Sequence, residues 1–179
     1  KEWETLSECA KAVKHGCIVE IGNYCGASTL AMAWGANDGT MIYSIDPHLP
    51  FSDPIPGDPK GINFGPHDKK ALYYSLIVEN MKASEWFNGF PFSRVSLIEL
   101  SSNVVPADIF VPIGMVFIDG NHSLEQARKD YTNFALKMDK GGILAFHDKD
   151  WPGPAQVIRD AIDNGFFEMR VMVDNLAIM

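Results

Sequence analysis

The sequence predicts an α/β domain in which a mostly parallel sheet is covered by helices on both faces. Two patterns lead there. Short apolar runs bounded by turn residues alternate with longer stretches of helical periodicity, and alternation of this kind builds parallel sheets with a helical layer on each side. The second pattern is the turn Gly22-Asn23-Tyr24-Cys25-Gly26, which joins the first apolar run to a helical stretch. In open α/β sheets such strand-to-helix turns are where ligands meet the backbone.

Taken in order, strands are predicted at Cys17–Ile21, Met41–Ile45, Arg94–Glu99, Met115–Ile118 and Gly142–Phe146. Helices are predicted over Thr5–His15, Ala27–Trp34, Lys69–Lys82, Ser123–Met138 and Ala155–Asn164. The helix at Ser123–Met138 has the clearest signature. Leu124, Ala127, Tyr131, Phe134 and Met138 recur at three- and four-residue steps and share one face. Ser123 followed by Gln126 is a capping-box pattern, and Lys140-Gly141-Gly142 supplies a stop. At the carboxyl end, Phe166–Val173 and Leu176–Met179 flank Asp174-Asn175, the pattern of an antiparallel hairpin. The stretch at about 47–67 differs from the rest, with Pro47, Pro50, Pro54, Pro56, Pro59 and Pro66 interspersed with Gly57, Gly61 and Gly65. A loop of that length inside a domain is a functional lid or linker, or else a disordered surface insertion. Residues 1–179 are otherwise read as a single domain.

Composition bounds the partners. The chain is 46% apolar and 21% charged, as ordinary globular domains are. Its net charge of −8 argues against a general nucleic-acid or anionic-membrane binder, since both need a surplus of Lys and Arg. No apolar run approaches the ~18 residues of a membrane span. Lys1 to Thr5 show no signal-peptide pattern, and the absence of an initial Met leaves room for a preceding segment. Cys9, Cys17 and Cys25 have no metal-type spacing and read as free thiols of a reducing, cytoplasmic setting. Oligomeric state is open at this level.

The glycine turn carries the first chemical signal. Gly22 and Gly26 sit where a side chain would obstruct a ligand. Their G-x-x-x-G spacing, with Tyr24 in the middle, disfavours a dinucleotide, whose pyrophosphate needs the tighter G-x-G-x-x-G loop. Asp46 follows the second strand, where a carboxylate can accept both ribose hydroxyls of a nucleoside. Each feature alone also reads as a plain turn; together, on adjacent strands, they point to a nucleoside.

These residues resemble the class I S-adenosylmethionine-dependent methyltransferases. Glu20-Ile21-Gly22-Asn23-Tyr24-Cys25-Gly26 resembles that superfamily's first motif, and Tyr24-Cys25-Gly26-Ala27-Ser28 is similar to the catechol O-methyltransferase branch. Ile118-Asp119-Gly120-Asn121-His122-Ser123 and Gly141-Gly142-Ile143-Leu144-Ala145-Phe146-His147-Asp148 resemble macrocin and sugar O-methyltransferases. The resemblance runs from about Cys17 to about Asp163. It implies a Rossmann-like three-layer sandwich with a seven-stranded sheet whose last strand is antiparallel. It implies S-adenosylmethionine as cofactor, with Glu20, Gly22, Tyr24, Gly26 and Ser28 around its methionine part and Asp46 on its ribose. Ser102 and Asn103 fall where the family contacts adenine, and Asp119 also borders the cofactor; helix capping is the competing role for Ser102 and Asn103.

Asp119, His122, His147 and Asp148 follow the fourth and fifth strands, so they converge on the carboxyl edge where α/β sheets do chemistry. Asp119 also reads as a turn former and His122 as a helix cap. Metal-dependent members of the resembled group hold a Mg²⁺-like ion on acids here, which implies Asp119, His147 and Asp148 as ligands of a divalent cation (Mg²⁺ or Mn²⁺). A nitrogen donor at His147 departs from an all-oxygen site and favours a transition metal or none. His122 stands at the family's general-base position, and an imidazole takes a hydroxyl proton near neutral pH; without a metal, either His122 or His147 is the base. Trp151-Pro152-Gly153-Pro154 reads equally as a pocket border or a rigid turn, Phe87, Phe90 and Phe92 read as core, and Cys25 is given no role. The implied function is methyl transfer to a small-molecule acceptor at a hydroxyl oxygen. The alternative is a non-catalytic or degenerate nucleoside-binding domain.

Overall fold

The computed structural model describes residues 1–48, 79 and 92–179. The predicted helix at Lys69–Lys82, apart from Glu79, and all but Pro47 and His48 of the Pro/Gly-rich stretch lie outside the described residues, as do Phe87 and Phe90 and the side chain of Phe92. Seven strands form one sheet: β1 (Cys17–Ile21), β2 (Ile42–Ile45), β3 (Val95–Ile98), β4 (Ile113–Ile118), β5 (Met138–Phe146), β6 (Val171–Val173) and β7 (Leu176–Ile178). Their order is β3-β2-β1-β4-β5-β7-β6. β1 through β5 pair in parallel, while β7 runs antiparallel to both β5 and β6. The four described α-helices are α1 (Glu2–Ala12), α2 (Ala27–Gly35), α3 (Leu124–Phe134) and α4 (Pro152–Asp163).

The strands are apolar because the central ones are buried on both faces. Every residue of β1 and β4 is buried, which explains continuous apolar runs rather than alternation. Successive side chains divide between two cores. Ile18, Met115, Phe117 and Ala145 pack with Leu6 and Ala10 of α1 and Met32 of α2. Val19, Val116, Ile118, Leu144 and Phe146 pack with Ala127, Tyr131 and Phe134 of α3 and Val157 and Ala161 of α4. The period of two in a strand thus sorts residues between the layers. Strand order reverses between β1 and β4, leaving a crevice at their carboxyl ends.

Several predicted boundaries move. The helix expected to run to Met138 ends at Phe134, passes through a 3₁₀ turn at Ala135–Lys137, and Met138 opens β5. The glycines read as a stop lie within β5, Gly141 at a φ of 85°. Of Phe166–Val173 only Val171–Val173 is strand. The two-residue turn Asp174-Asn175 does join β6 to β7, with Asp174 at a φ of 49°. Helix α4 begins at Pro152 rather than Ala155, since proline is well suited to a helix's first turn. Among the described residues no helix is long and apolar enough to cross a membrane.

Candidate active site at the carboxyl edge of the sheet

Gly22 follows β1 at a φ of 85°, and a Cβ there would lie 2.2 Å from the backbone oxygen of Asp119. The glycine is therefore required by the close passage of the β1 and β4 ends, before any ligand is considered. The turn continues through Tyr24 at a φ of 47° and Gly26 at 82°, and Gly26 caps α2. Tyr24 is the exposed residue of the turn, at 54%.

Glu20 and Ser28 do not line the crevice as expected. Glu20 is fully buried in β1 and accepts hydrogen bonds from Ser28 Oγ, Thr29 Oγ1 and Ser44 Oγ at 2.5, 2.5 and 2.6 Å. It ties the start of α2 to β2 beneath the turn, and the buried Ser28 spends its hydroxyl there. Burial pushes the Glu20 pKa up to about 7, against the pull of the three hydroxyls. Between the ordinary 4.5 and about 7 the folded chain holds a proton that the unfolded chain has released, so stability falls as pH rises. The stability of the wild type minus that of Glu20→Gln is therefore expected to decline across this window and level off above it, as measured by denaturant unfolding. A flat difference would contradict the assignment.

Asp46 leaves β2 and turns back under the glycine loop. Its Oδ2 accepts the backbone N–H groups of Asn23 (2.9 Å) and Tyr24 (3.1 Å), and its Oδ1 that of His48 (2.7 Å). A carboxylate accepts about four hydrogen bonds, so capacity remains for a ligand hydroxyl. Asn23 and His48, which the sequence reading passed over, brace this corner: Asn23 Nδ2 donates to Ser44 Oγ at 2.7 Å, and its Oδ1 lies 3.0 Å from His48 Nε2.

Beyond β3, Ser101 caps a short 3₁₀ turn by accepting from the Asn103 N–H at 3.3 Å. Capping thus falls to Ser101, and the Ser102 and Asn103 side chains turn instead toward α3. Ser102 is buried against Asp130, and Asn103 is exposed beside Gln126. The capping box at Ser123 is half made. Ser123 Oγ accepts from the Gln126 N–H at 3.3 Å, but the Gln126 side chain reaches Ser102, Asn103 and Asp130 rather than turning back to the cap.

The four predicted residues after β4 and β5 do meet. Asp148 turns at a φ of 49°, and its backbone oxygen accepts from the Trp151 N–H at 2.9 Å, closing a turn into α4. Its Oδ2 lies 3.0 Å from His122 Nε2 and 3.3 Å from His147 Nδ1, and His147 Nδ1 lies 3.3 Å from Asp119 Oδ1. Burial by itself disfavours charge on His147, but hydrogen bonds and charge from Asp119 and Asp148 outweigh it and push the imidazole up to about 10. Hydrogen bonds from His122 and His147 hold Asp148 well below the usual carboxylate range. Burial raises Asp119, opposed by His147.

The two carboxylates favour the protonated form of His147, which works against the ligand role implied for it. A protonated ring between two carboxylates has no free electron pair. Nε2 of the ring also approaches Glu2 Oε2 at 3.5 Å, and Trp3 stacks on it at 6.4 Å with planes 8° apart. Among the described residues, the group that can share one cation is Asp119, His122 and Asp148, whose donor atoms lie within 4.8 Å of one another. His122 Nε2 is buried 3.0 Å from Asp148 Oδ2, so the ring can pair with Asp148 when it takes a proton, or share a metal with it.

The supports of His122 were not legible as such. Trp151 packs against its ring, with centroids 4.6 Å apart and planes tilted by 30°, and a Cβ on Gly153 would lie 2.1 Å from its backbone oxygen. The Trp151–Gly153 turn thus packs directly on His122. Glu2 and Trp3 approach from the far end of the chain, and no local pattern announces them.

A glycine turn after β1, an acid after β2 and acidic ends on β4 and β5 meet at the carboxyl edge of the sheet, where the strand order reverses. Residues 19–149 match the methyltransferase domain family, and the chain belongs to it. It is an S-adenosylmethionine-dependent methyltransferase with the Rossmann-like sheet the sequence predicts. Solved structures share the fold. CalS11, a calicheamicin methyltransferase, matches with a TM-score of 0.70 and 19% identity over 99% of this chain and 76% of that one. The O-methyltransferase NovP matches at 0.69 and 16%, covering 99% and 78%. Cofactor-bound Rv0187 from MTB matches at 0.66 and 16%, covering 99% and 78%.

Proposed function

We propose that the chain methylates a hydroxyl of a small acceptor, such as a sugar or polyketide, at the rim formed by Asp119, His122, His147 and Asp148. The observation that carries this is the buried Nε2 of His122, 3.0 Å from Asp148 and grouped with Asp119 at the strand ends. CalS11 is a TDP-rhamnose 3′-O-methyltransferase and NovP an O-methyltransferase, which supports oxygen as the nucleophile. S-adenosylmethionine supplies an electrophilic methyl group. The chain's own residues then have two tasks, holding donor and acceptor in line and removing one proton. Gly22, Tyr24 and Gly26 hold the methionine end, Asp46 the ribose, Ser102 and Asn103 the adenine side, and Asp119 the reacting end. His122 takes the acceptor proton, and the imidazolium it becomes gains an ion pair with Asp148. The three free thiols support a cytoplasmic setting, and the net charge of −8 supports a small acceptor rather than nucleic acid or membrane.

A divalent cation is a second reading, favoured by the donor set. Asp119, His122 and Asp148 would hold it, and mixed nitrogen and oxygen donors suit Mn²⁺ better than Mg²⁺. It would supply Lewis acidity to the acceptor oxygen. One electron pair on His122 cannot serve both a proton and a metal, so the readings exclude each other.

The donor assignment is tested at Asp46. Asp46→Ala is expected to weaken S-adenosylhomocysteine binding by about 1.5–3 kcal/mol in calorimetry. Because Asp46 also braces the glycine loop, the 2′-deoxy analogue separates the roles. The wild type should prefer the ribose form and the variant should not. Wild-type affinity in Asp46→Ala would sink the ribose assignment.

A further inference from the structure

Asp130 takes no part in the proposed reaction, yet it is only 1% exposed. Burying a carboxylate is costly unless its oxygens are satisfied, and an apolar side chain would seat the helix as well. Burial raises its pKa, and bonds from Ser102 and Gln126 pull it back. Its Oδ1 accepts from Ser102 Oγ at 2.6 Å and from Gln126 Nε2 at 2.9 Å. Gln126 lies one turn earlier on the same face of α3, and its Nε2 is also 3.2 Å from Ser102 Oγ.

The far side of the Gln126 carboxamide meets Asn103 head to tail. Asn103 Nδ2 donates to Gln126 Oε1 at 3.0 Å, and Gln126 Nε2 donates to Asn103 Oδ1 at 3.3 Å. Asn103 is exposed and Gln126 half-buried, so a ligand at the end of β3 can reach the pair. Each amide offers a donor beside an acceptor. That pattern grips the 6-amino group and neighbouring ring nitrogen of adenine.

We propose that Gln126 reads the adenine of the donor together with Asn103, with the buried Asp130 as the positioning residue that aims it. This rests on the reading that the nucleoside lies across the ends of β2 and β3. One arm of the amide pair is exchanged for the adenine edge, and Asp130 keeps the remaining carboxamide from rotating. The base is then selected by hydrogen bonding, not by stacking alone.

Calorimetry of the full chain with S-adenosylhomocysteine and S-inosylhomocysteine tests this, because the second ligand carries an oxo group in place of the 6-amino group. The wild type is expected to prefer the adenine ligand by about tenfold or more. Gln126→Leu should bring that ratio close to one by weakening the adenine ligand alone, and its undiminished binding of the inosine ligand shows that it is folded. Asp130→Asn should lower the ratio several-fold and raise the KM for S-adenosylmethionine while leaving kcat unchanged; a merely structural role would weaken both ligands alike. Full discrimination in Gln126→Leu overturns the proposal and leaves the donor site standing. A wild type that binds neither ligand overturns the donor reading itself.

Discussion

Asp148→Asn is expected to cut kcat by on the order of 100-fold or more while S-adenosylhomocysteine binds within about twofold of wild type. A single oxygen, Oδ2, faces both imidazoles, at 3.0 Å from His122 and 3.3 Å from His147. Neutralising it removes the charge that would stabilise a protonated His122 in the transition state. It also removes one of the two carboxylates beside His147 Nδ1. The donor contacts assigned to the glycine turn and Asp46 follow β1 and β2, so binding should be spared. Steady-state kinetics with calorimetry on the same preparation measure both quantities. A kcat within a factor of about two would remove the strand-end cluster from the chemistry.

The second large effect is expected at His122. His122→Ala should lose on the order of 10²–10⁴-fold in kcat, the usual contribution of a positioned base. Added imidazole should restore part of the loss, since the space between Trp151 and Asp148 is then open to a small ring. His147→Ala should lose less, because a ring held protonated by two acids is no base at neutral pH. Excess chelator should leave the wild-type rate unchanged. Loss of activity on chelation, with recovery on adding Mn²⁺ or Mg²⁺, would instead make His122 a ligand and reject the base assignment.

Much of the fold could be read locally because burial imposes it. The runs at Cys17–Ile21 and Met115–Ile118 are apolar throughout, as strands covered on both faces must be. Asp174-Asn175 marks its hairpin because a tight turn needs positive φ. Met138 misled because it falls on the helical period of α3, yet it pairs with Ile113 as the first residue of β5. Periodicity registers the face a residue shares, not the point where the chain leaves a helix.

The site divides in the same way. Asp119, His147 and Asp148 were visible because strand ends are marked by the apolar runs before them. The roles inside the cluster were not, because they depend on long-range partners. His147 is approached by Glu2 as well as by the two aspartates, whereas His122 faces Asp148 alone among these acids. Glu20 was assigned to the cofactor on its place in the motif, but Thr29 and Ser44 join Ser28 in enclosing it. Gln126 was read as half of a capping box, and only the fold brings it to Asn103.

In the proposed function the donor nucleoside lies on Gly22–Gly26 and Asp46 with its reacting end toward His122. A crystal structure with S-adenosylhomocysteine, grown with Mn²⁺ and recorded at the manganese absorption edge, tests it most directly. The ribose is expected on Asp46, adenine beside Asn103 and Gln126, and the thioether sulfur pointing toward the Asp119–His122–Asp148 rim, with no anomalous peak at the rim. A peak there would favour the metal reading, and a ligand with its ribose or sulfur away from these residues would contradict the account.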